Sequence, residues 1–254
     1  MCTNCGCSVT PKSIEINHHH HHELEDNHNS NTVNIHQAIL AKNNHIAQHN
    51  RDLFTEKKIF TLNILSSPGS GKTTFIQKTL TDLKTTYKSA VIVGDLATDN
   101  DAVRLKESAD QVVQITTGDI CHLEADMIRQ ALKEIDINDC QLLIIENVGN
   151  LVCPSAYDLG ENKRVALLSV TEGEDKPLKY PTLFKSADVV IINKMDIAEA
   201  VEFNQELALN NIRKIAPQAE IFLVSSRQGN GMNNWYNYLS QIISSQLNHE
   251  VVIG

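Results

Sequence analysis

A cysteine and a histidine stand side by side at 121 and 122, inside TTGDICHLEADM (residues 116–127), and a third soft donor, Cys153, follows in NLVCPS. Thiolate sulfur and imidazole nitrogen are the donors that borderline divalent cations such as Zn²⁺ and Ni²⁺ prefer. Each stretch follows an apolar run, so the three side chains meet if those runs are strands that share a sheet edge. Three ligands leave a coordination position open, for water, Asp126 or a second subunit. Ligands adjacent in sequence do not readily close a compact site alone, which favours a shared, two-fold arrangement.

LNILSSPGSGKTTF (62–75) carries a different chemistry. It reads as a strand, a glycine loop and a helix start, the context in which backbone N–H groups cradle phosphates. Gly69, Ser70, Gly71, Lys72, Thr73 and Thr74 are the expected phosphate contacts. Lys72 reaches the β- and γ-phosphates, and the Thr73 hydroxyl ligates Mg²⁺. Ser66 stands where the usual pattern has its first glycine.

VVIINKMD (189–196) selects the base. After an apolar strand, Asn193, Lys194 and Asp196 place a carboxylate that can accept from the N1–H and 2-amino group of guanine, a pattern adenine lacks. Ser225 and Ser226, at the end of the last strand, are expected to touch the base. In LLIIENVGN, Glu146 occupies the acidic strand end that meets Mg²⁺ through water, and Gly149 is placed to sense the γ-phosphate. A switch then runs through Asn147 and Asn150 to Cys153. Asp95, in GDLATDNDA, is the acid best placed to touch Mg²⁺ or orient the attacking water, whereas Asp99 and Asp101 are read as solvated. Lys72, Asp95 and Glu146 are thus the expected catalytic set. No Gln follows the acidic strand to direct water, so intrinsic hydrolysis is expected to be slow unless a partner or dimerisation completes the site.

At the N-terminus, MCTNCGC offers Cys2, Cys5 and Cys7 together with an α-amine, four donors that suit a square-planar Ni²⁺. The run His18 to His22 is read as a nickel buffer, with His28 beyond it. Cys140, ahead of a buried strand, is read as a structural thiol.

The elements that must position these groups follow from hydropathy. Seven apolar runs (KIFTLNIL, SAVIVG, DQVVQIT, CQLLIIE, RVALLSV, ADVVIIN and AEIFLVS) alternate with helical patterns near 73–84, 122–135, 198–215 and 231–247. That alternation predicts an α/β fold with a mostly parallel sheet and helices on both faces, ligands gathering at the carboxyl ends of the strands. The expected organisation is a Cys/His-rich tail over 1–30 with no packed core, a helix over 31–56 capped by Asn31 or Thr32, and a P-loop GTPase domain over 57–254. Ile35, Ile39, Ile46 and Leu53 form one apolar stripe on that helix, which must pack on the main domain or on a partner subunit.

The net charge of −9 argues against nucleic acid as a partner. No apolar run approaches the ~20 residues that span a bilayer, and no signal peptide is visible. A cytoplasmic location is expected, where the six cysteines stay reduced.

CTNCGC, SSPGSGKTT, TGDICHLEADM, ENVGNLVCP, SVTEGEDKPLKYP and NKMD together resemble the HypB family of hydrogenase nickel-incorporation GTPases, a branch of the signal-recognition and MinD type of P-loop GTPase that also includes the urease accessory GTPase. The resemblance runs the length of the chain. It implies a GTP-dependent homodimer that helps deliver Ni²⁺ to the large subunit of [NiFe]-hydrogenase, working with a HypA-like accessory protein that binds nickel and zinc. It puts the GTPase-domain metal site on Cys121, His122 and Cys153, and a high-affinity nickel site on Cys2, Cys5 and Cys7. TEGEDKPLKYP, with Lys176 and Lys179, is read as a hinge or lid loop. Two other readings keep the same residues: a urease-type nickel accessory GTPase, and a nickel store with a secondary nucleotide site. A P-loop kinase is disfavoured by NKMD.

Overall fold

The structure, a computed structural model, describes residues 28–96 and 100–248, with side chains for 37–96 and 100–246. Cys2, Cys5, Cys7, the His18–His22 run and Asp99 therefore lie outside the described residues, as does the side chain of His28. Gln37–Gly254 forms one compact unit.

Seven strands make a single parallel sheet in the order β3-β2-β4-β1-β5-β6-β7. They are β1 (Phe60–Ser66), β2 (Ser89–Asp95), β3 (Gln111–Thr116), β4 (Leu142–Glu146), β5 (Lys163–Ser169), β6 (Val189–Asn193) and β7 (Glu220–Leu223). Each is one of the apolar runs of the sequence. β1, β4 and β6 are buried at every position, as strands covered on both faces must be.

Successive strand residues point to opposite faces. One face, with Leu62, Ile64, Val91, Ile144 and Ile191, packs on α2 (Lys72–Leu83), α3 (Asn100–Leu105) and α8 (Met232–Asn248). Trp235 of α8 is fully buried there, its indole N–H donating to Thr79 Oγ1 at 3.1 Å. The other face packs Ile92, Leu143 and Ile145 against Phe54 of α1 (His28–Glu56) and Ile128 of α4 (Ala125–Ala131). Further along the same face Leu168, Val190 and Ile192 meet Ile212 of α7 (Gln205–Ile215).

Of the apolar stripe on α1, Ile46 is buried and Leu53 half-buried, but Ile39 is 46% exposed. The helix is held as much by polar side chains. Asn43 Nδ2 donates to the Asp158 carbonyl at 2.8 Å, Asn50 Nδ2 to the Ala125 and Leu159 carbonyls at 2.9 and 3.1 Å, and Arg51 makes two 2.8 Å bonds to the Asp158 carboxylate.

Two helix boundaries and one loop segment differ from expectation. Residues 122–124 are not helical and α4 starts at Ala125, which leaves the Cys-His pair in a loop. The helix expected from 198 starts only at Gln205, where Asn204 accepts from the Leu207 N–H; Glu202 before it has a positive φ of 55° that helix cannot accommodate. TEGEDKPLKYP, read as a hinge or lid loop, is mostly short helix. Glu172 closes a capping box with Ser169 and pairs with Lys176 at 3.1 Å, Lys179 pairs with Asp175 at 2.6 Å, and two short helices, α5 (Lys176–Lys179) and α6 (Pro181–Ser186), follow.

Candidate functional site

The chain leaves β1 towards β2 on one side and reaches β5 on the other, so the end of β1 sits at the switch in strand order where such sheets bind ligands. Register aligns Glu146 with Ile64 and Val93, and Asp95 with Thr116. Ser66, Asp95, Glu146 and Asn193 therefore end on one rim of the sheet.

The glycine loop closes over that rim. Gly71 caps α2 at φ 94°, a left-handed conformation, and a Cβ there would sit 2.6 Å from Asn193 Nδ2, so glycine is required on both counts. The loop after β6 buttresses the glycine loop. Asn193 Nδ2 donates to the Ser70 carbonyl at 3.1 Å, and Lys194 Nζ to the Gly69 carbonyl at 2.7 Å.

A cavity of about 420 Å³ lies against Gly69, Ser70, Gly71, Lys72, Thr73 and Thr74, with Asp95 and Gly149 on its far wall. Glu146, 1% exposed, accepts from the Thr73 hydroxyl at 2.6 Å and stands 3.4 Å from Lys72 Nζ. Burial raises its carboxyl above the usual range; the Lys72 charge and the Thr73 hydrogen bond oppose that. Its second oxygen is buried without a hydrogen-bond partner, a cost that a cation would relieve.

Asp101 and Arg104 of α3 also line this cavity, where Asp101 was expected in solvent. Arg104 donates to Thr74 Oγ1 at 3.1 Å and stands 3.6 Å from Asp101. The six-residue α3 is too short to show a helical period in the sequence, so nothing there announced that its acid and its arginine line the cavity.

A second cavity, about 300 Å³, adjoins the first through Gly71 and Thr74 and is lined by Asn193, Lys194, Asp196 and Ser226. The Ser225 hydroxyl donates to Asp196 Oδ1 at 2.6 Å, and Ser226 donates to Asn193 Oδ1 from its N–H at 3.1 Å and its hydroxyl at 2.8 Å. Both serines thus orient the NKMD side chains.

Cys121, His122 and Cys153 come together. One donor atom from each lies within 4.8 Å of the others, and all three residues are half-buried. Both ring nitrogens of His122 are buried without a hydrogen bond, the nearest acid being Glu124 at 3.5 Å. Burial holds the imidazole below its usual range, against the pull of the Glu124 carboxylate. The neutral ring is the form that binds metal. Two thiols and an imidazole whose ring nitrogens are buried without a hydrogen bond thus fit a soft or borderline cation. Asp126 does not face the group: it pairs with Arg129, and Glu124 is the carboxylate beside His122. Tyr157 stacks on His122 with ring centroids 3.9 Å apart, a contact that no sequence pattern foretold. Cys140 is apart from this group, buried, donating to the Leu142 carbonyl, its thiol pushed by burial to about 12.

The nucleotide rim and the thiol cluster are joined by the loop after β4. Gly149 lies against the phosphate loop, since a Cβ on it would come 3.2 Å from Pro68. Asn147, fully buried, accepts from the Leu123 N–H, and Asn150 Nδ2 donates to the Cys121 carbonyl at 3.4 Å.

Comparison with known proteins agrees with this geometry. The CobW/HypB/UreG, nucleotide-binding domain family matches residues 60–223. Hydrogenase maturation factor HypB of Escherichia coli K12 is 47% identical over 79% of this chain and 69% of its own length. Hydrogenase/urease maturation factor HypB of Helicobacter pylori 26695 is 44% identical over 82% of this chain and 86% of its own. The crystal structure of HypB from Helicobacter pylori in complex with nickel superposes with a TM-score of 0.76, at 43% identity, covering 80% of this chain and 96% of that one. The likeness spans the whole sheet with its P-loop, and the chain belongs to the HypB family of the CobW/HypB/UreG nucleotide-binding proteins.

Proposed function

We propose that this chain hydrolyses GTP to GDP and phosphate and uses the change of nucleotide state to control a Ni²⁺ ion destined for [NiFe]-hydrogenase. One observation carries the reading. A single loop runs from Glu146, bonded to Thr73 of the phosphate loop, past Gly149 against Pro68, to Cys153 in the thiol cluster. The names of the relatives, hydrogenase maturation factors, give the client.

GTP is favoured over ATP because Asp196 lines the second cavity with one oxygen already fixed by Ser225. A bound Mg²⁺ would be met by Thr73, with Glu146 and Asp95 behind it, and would neutralise phosphate charge. Lys72, held toward Glu146, binds the β- and γ-phosphates. Asp95, on the cavity wall, orients the attacking water. Because no glutamine follows β4, turnover is slow until a second copy or a partner completes the site.

Nickel is cargo here, held by Cys121, His122 and Cys153 with Cys2, Cys5 and Cys7 as a second site; Zn²⁺ suits the same donors. The reading includes a GTP-dependent homodimer in the cytoplasm, a HypA-like nickel and zinc accessory protein as donor or acceptor, and the hydrogenase large subunit as the indirect client. No nucleic acid or membrane enters it. Among the described residues no helix is long and apolar enough to cross a membrane. Urease as a further client is a second reading, favoured by the double name of the Helicobacter pylori relative.

The test is phosphate release from GTP and ATP by the purified chain, beside hydrogenase activity in a host that depends on it. GTP turnover lost in Lys72→Ala, together with loss of hydrogenase that added nickel does not restore, supports the proposal. Equal use of ATP, or full hydrogenase activity with Lys72→Ala, overturns it.

A further inference from the structure

We propose that His45 and His49 form a separate, solvent-facing binding site for a divalent nickel, zinc or copper ion on α1. The two residues are four apart on one helix, a spacing that puts their side chains on the same face one turn from each other. Both are exposed, and their Nε2 atoms lie 3.2 Å apart with the rings edge to face. With metal–nitrogen bonds of about 2.0–2.1 Å, two adjacent ligands on one ion stand about 2.9–3.4 Å apart. The observed separation falls inside that interval.

In the metal-free state this distance is an N–H···N hydrogen bond between two tautomers. Coordination asks that the donor ring carry its proton on Nδ1 and that both rings turn slightly so that the two Nε2 lone pairs converge on the ion. Asp52 lies on the same face, seven residues beyond His45 and three beyond His49. Its Oδ1 accepts from Gln48 Nε2 at 2.8 Å, and its charge favours a cation nearby.

The helix beneath the pair is fixed on its other face by Asn43, Asn50 and Arg51, so the two imidazoles are offered from a rigid element and little ordering entropy opposes binding. Two imidazoles suit nickel, zinc and copper rather than magnesium or calcium. With only two protein ligands, the remaining coordination positions stay with water, and the ion exchanges quickly. The site rests on α1 alone and is independent of the thiol cluster and of the nucleotide reading.

The experiment is residue-resolved chemical modification of the full-length protein with diethyl pyrocarbonate, read histidine by histidine by peptide mass spectrometry, with Ni²⁺, with Mg²⁺ and without metal. Nickel held elsewhere in the chain does not confuse the readout, because each histidine is scored separately. Ni²⁺ is expected to slow modification of both His45 and His49, and Mg²⁺ to leave it unchanged. In His49→Ala the chelate is lost, and the Ni²⁺ concentration that half-protects His45 should rise at least about ten-fold. The substitution is on an exposed helix position where alanine is tolerated. Equal modification rates with and without Ni²⁺, or protection of His45 that is unaltered in His49→Ala, overturns the proposal.

Discussion

The side-chain oxygen of Asn147 accepts the backbone N–H of Leu123 at 3.3 Å, one residue beyond His122. The same oxygen accepts from the Val148 N–H at 2.9 Å, and Nδ2 donates to Asn63 Oδ1 at 3.2 Å. Asn147 therefore fastens the end of β4, a strand of β1 and the Cys121–His122 segment to one another. A shift of the loop after Glu146 must carry that segment with it or break a buried hydrogen bond.

Asn147→Ala should cost about 1–3 kcal/mol of stability, the usual penalty when buried backbone donors lose their acceptor. It should also bring the ratio of nickel affinities measured with GDP and with a non-hydrolysable GTP analogue close to one. Asn150→Ala is the milder companion, since Asn150 meets Cys121 at 3.4 Å in a half-buried setting. Competition with a chromophoric chelator reads the ratio. A ratio equal to wild type in both variants would show that the asparagines are structural only.

Asp196→Asn should discriminate the base. If Asp196 reads guanine as proposed, the amide loses one acceptor and the charge offered to the base, so GTP binding should weaken by about 10–100-fold, the value of a hydrogen bond to a charged group. Its N–H₂ can instead donate to a 2-oxo group, so xanthosine triphosphate should gain. Fluorescent-nucleotide titration checks both. Unchanged GTP affinity would remove Asp196 from the base site.

Cys153→Ala should lower soft-cation affinity at the thiol cluster by at least about 10–100-fold, since even groups that only orient ligands have effects of that size. Fold and nucleotide affinity should remain. The measurement is metal-binding stoichiometry in a background lacking Cys2, Cys5, Cys7, the His18–His22 run and His49. One equivalent of tightly bound metal surviving in Cys153→Ala would dissociate this thiol from the cluster.

The anchoring of α1 should depend on acid. Burial alone would lift the Asp158 carboxyl, but the two hydrogen bonds from Arg51, the Gly160 N–H and the guanidinium charge outweigh it and hold the carboxyl below the ordinary range. A depressed carboxylate adds stability at pH values above its unfolded pKa of about 3.9 and loses it as pH falls through the lower folded value. Because the pair is partly exposed, Asp158→Asn should cost only about 1 kcal/mol at pH 7. That difference should begin to shrink as pH falls below about 4 and be lost only below the folded value. Urea melts of both proteins at pH 7, 5 and 3 measure it; a gap that does not narrow between pH 5 and pH 3 would contradict the ion-pair account.

The strands were legible because buried parallel strands leave an unbroken apolar signal, and RVALLSV or ADVVIIN has no other stable use. The phosphate loop was legible because left-handed backbone at Gly71 needs glycine and the chemistry beside it needs Lys72 and Thr73. Asp101, Arg104 and Tyr157 were not legible. Each belongs to a short turn or helix whose direction is set by what it packs against, and local sequence carries no record of that.

Residue types and spacing alone thus determined the parallel sheet and the glycine loop of a nucleotide-binding fold, since each is a local demand of backbone geometry. Only the tertiary structure decided that Cys121 and His122 meet Cys153, that Glu124 and not Asp126 stands beside them, and that Asn147 ties the nucleotide loop to the same segment. Those relations join residues far apart in the chain. They exist only once strand order and register bring the ends of β3 and β4 to the same rim.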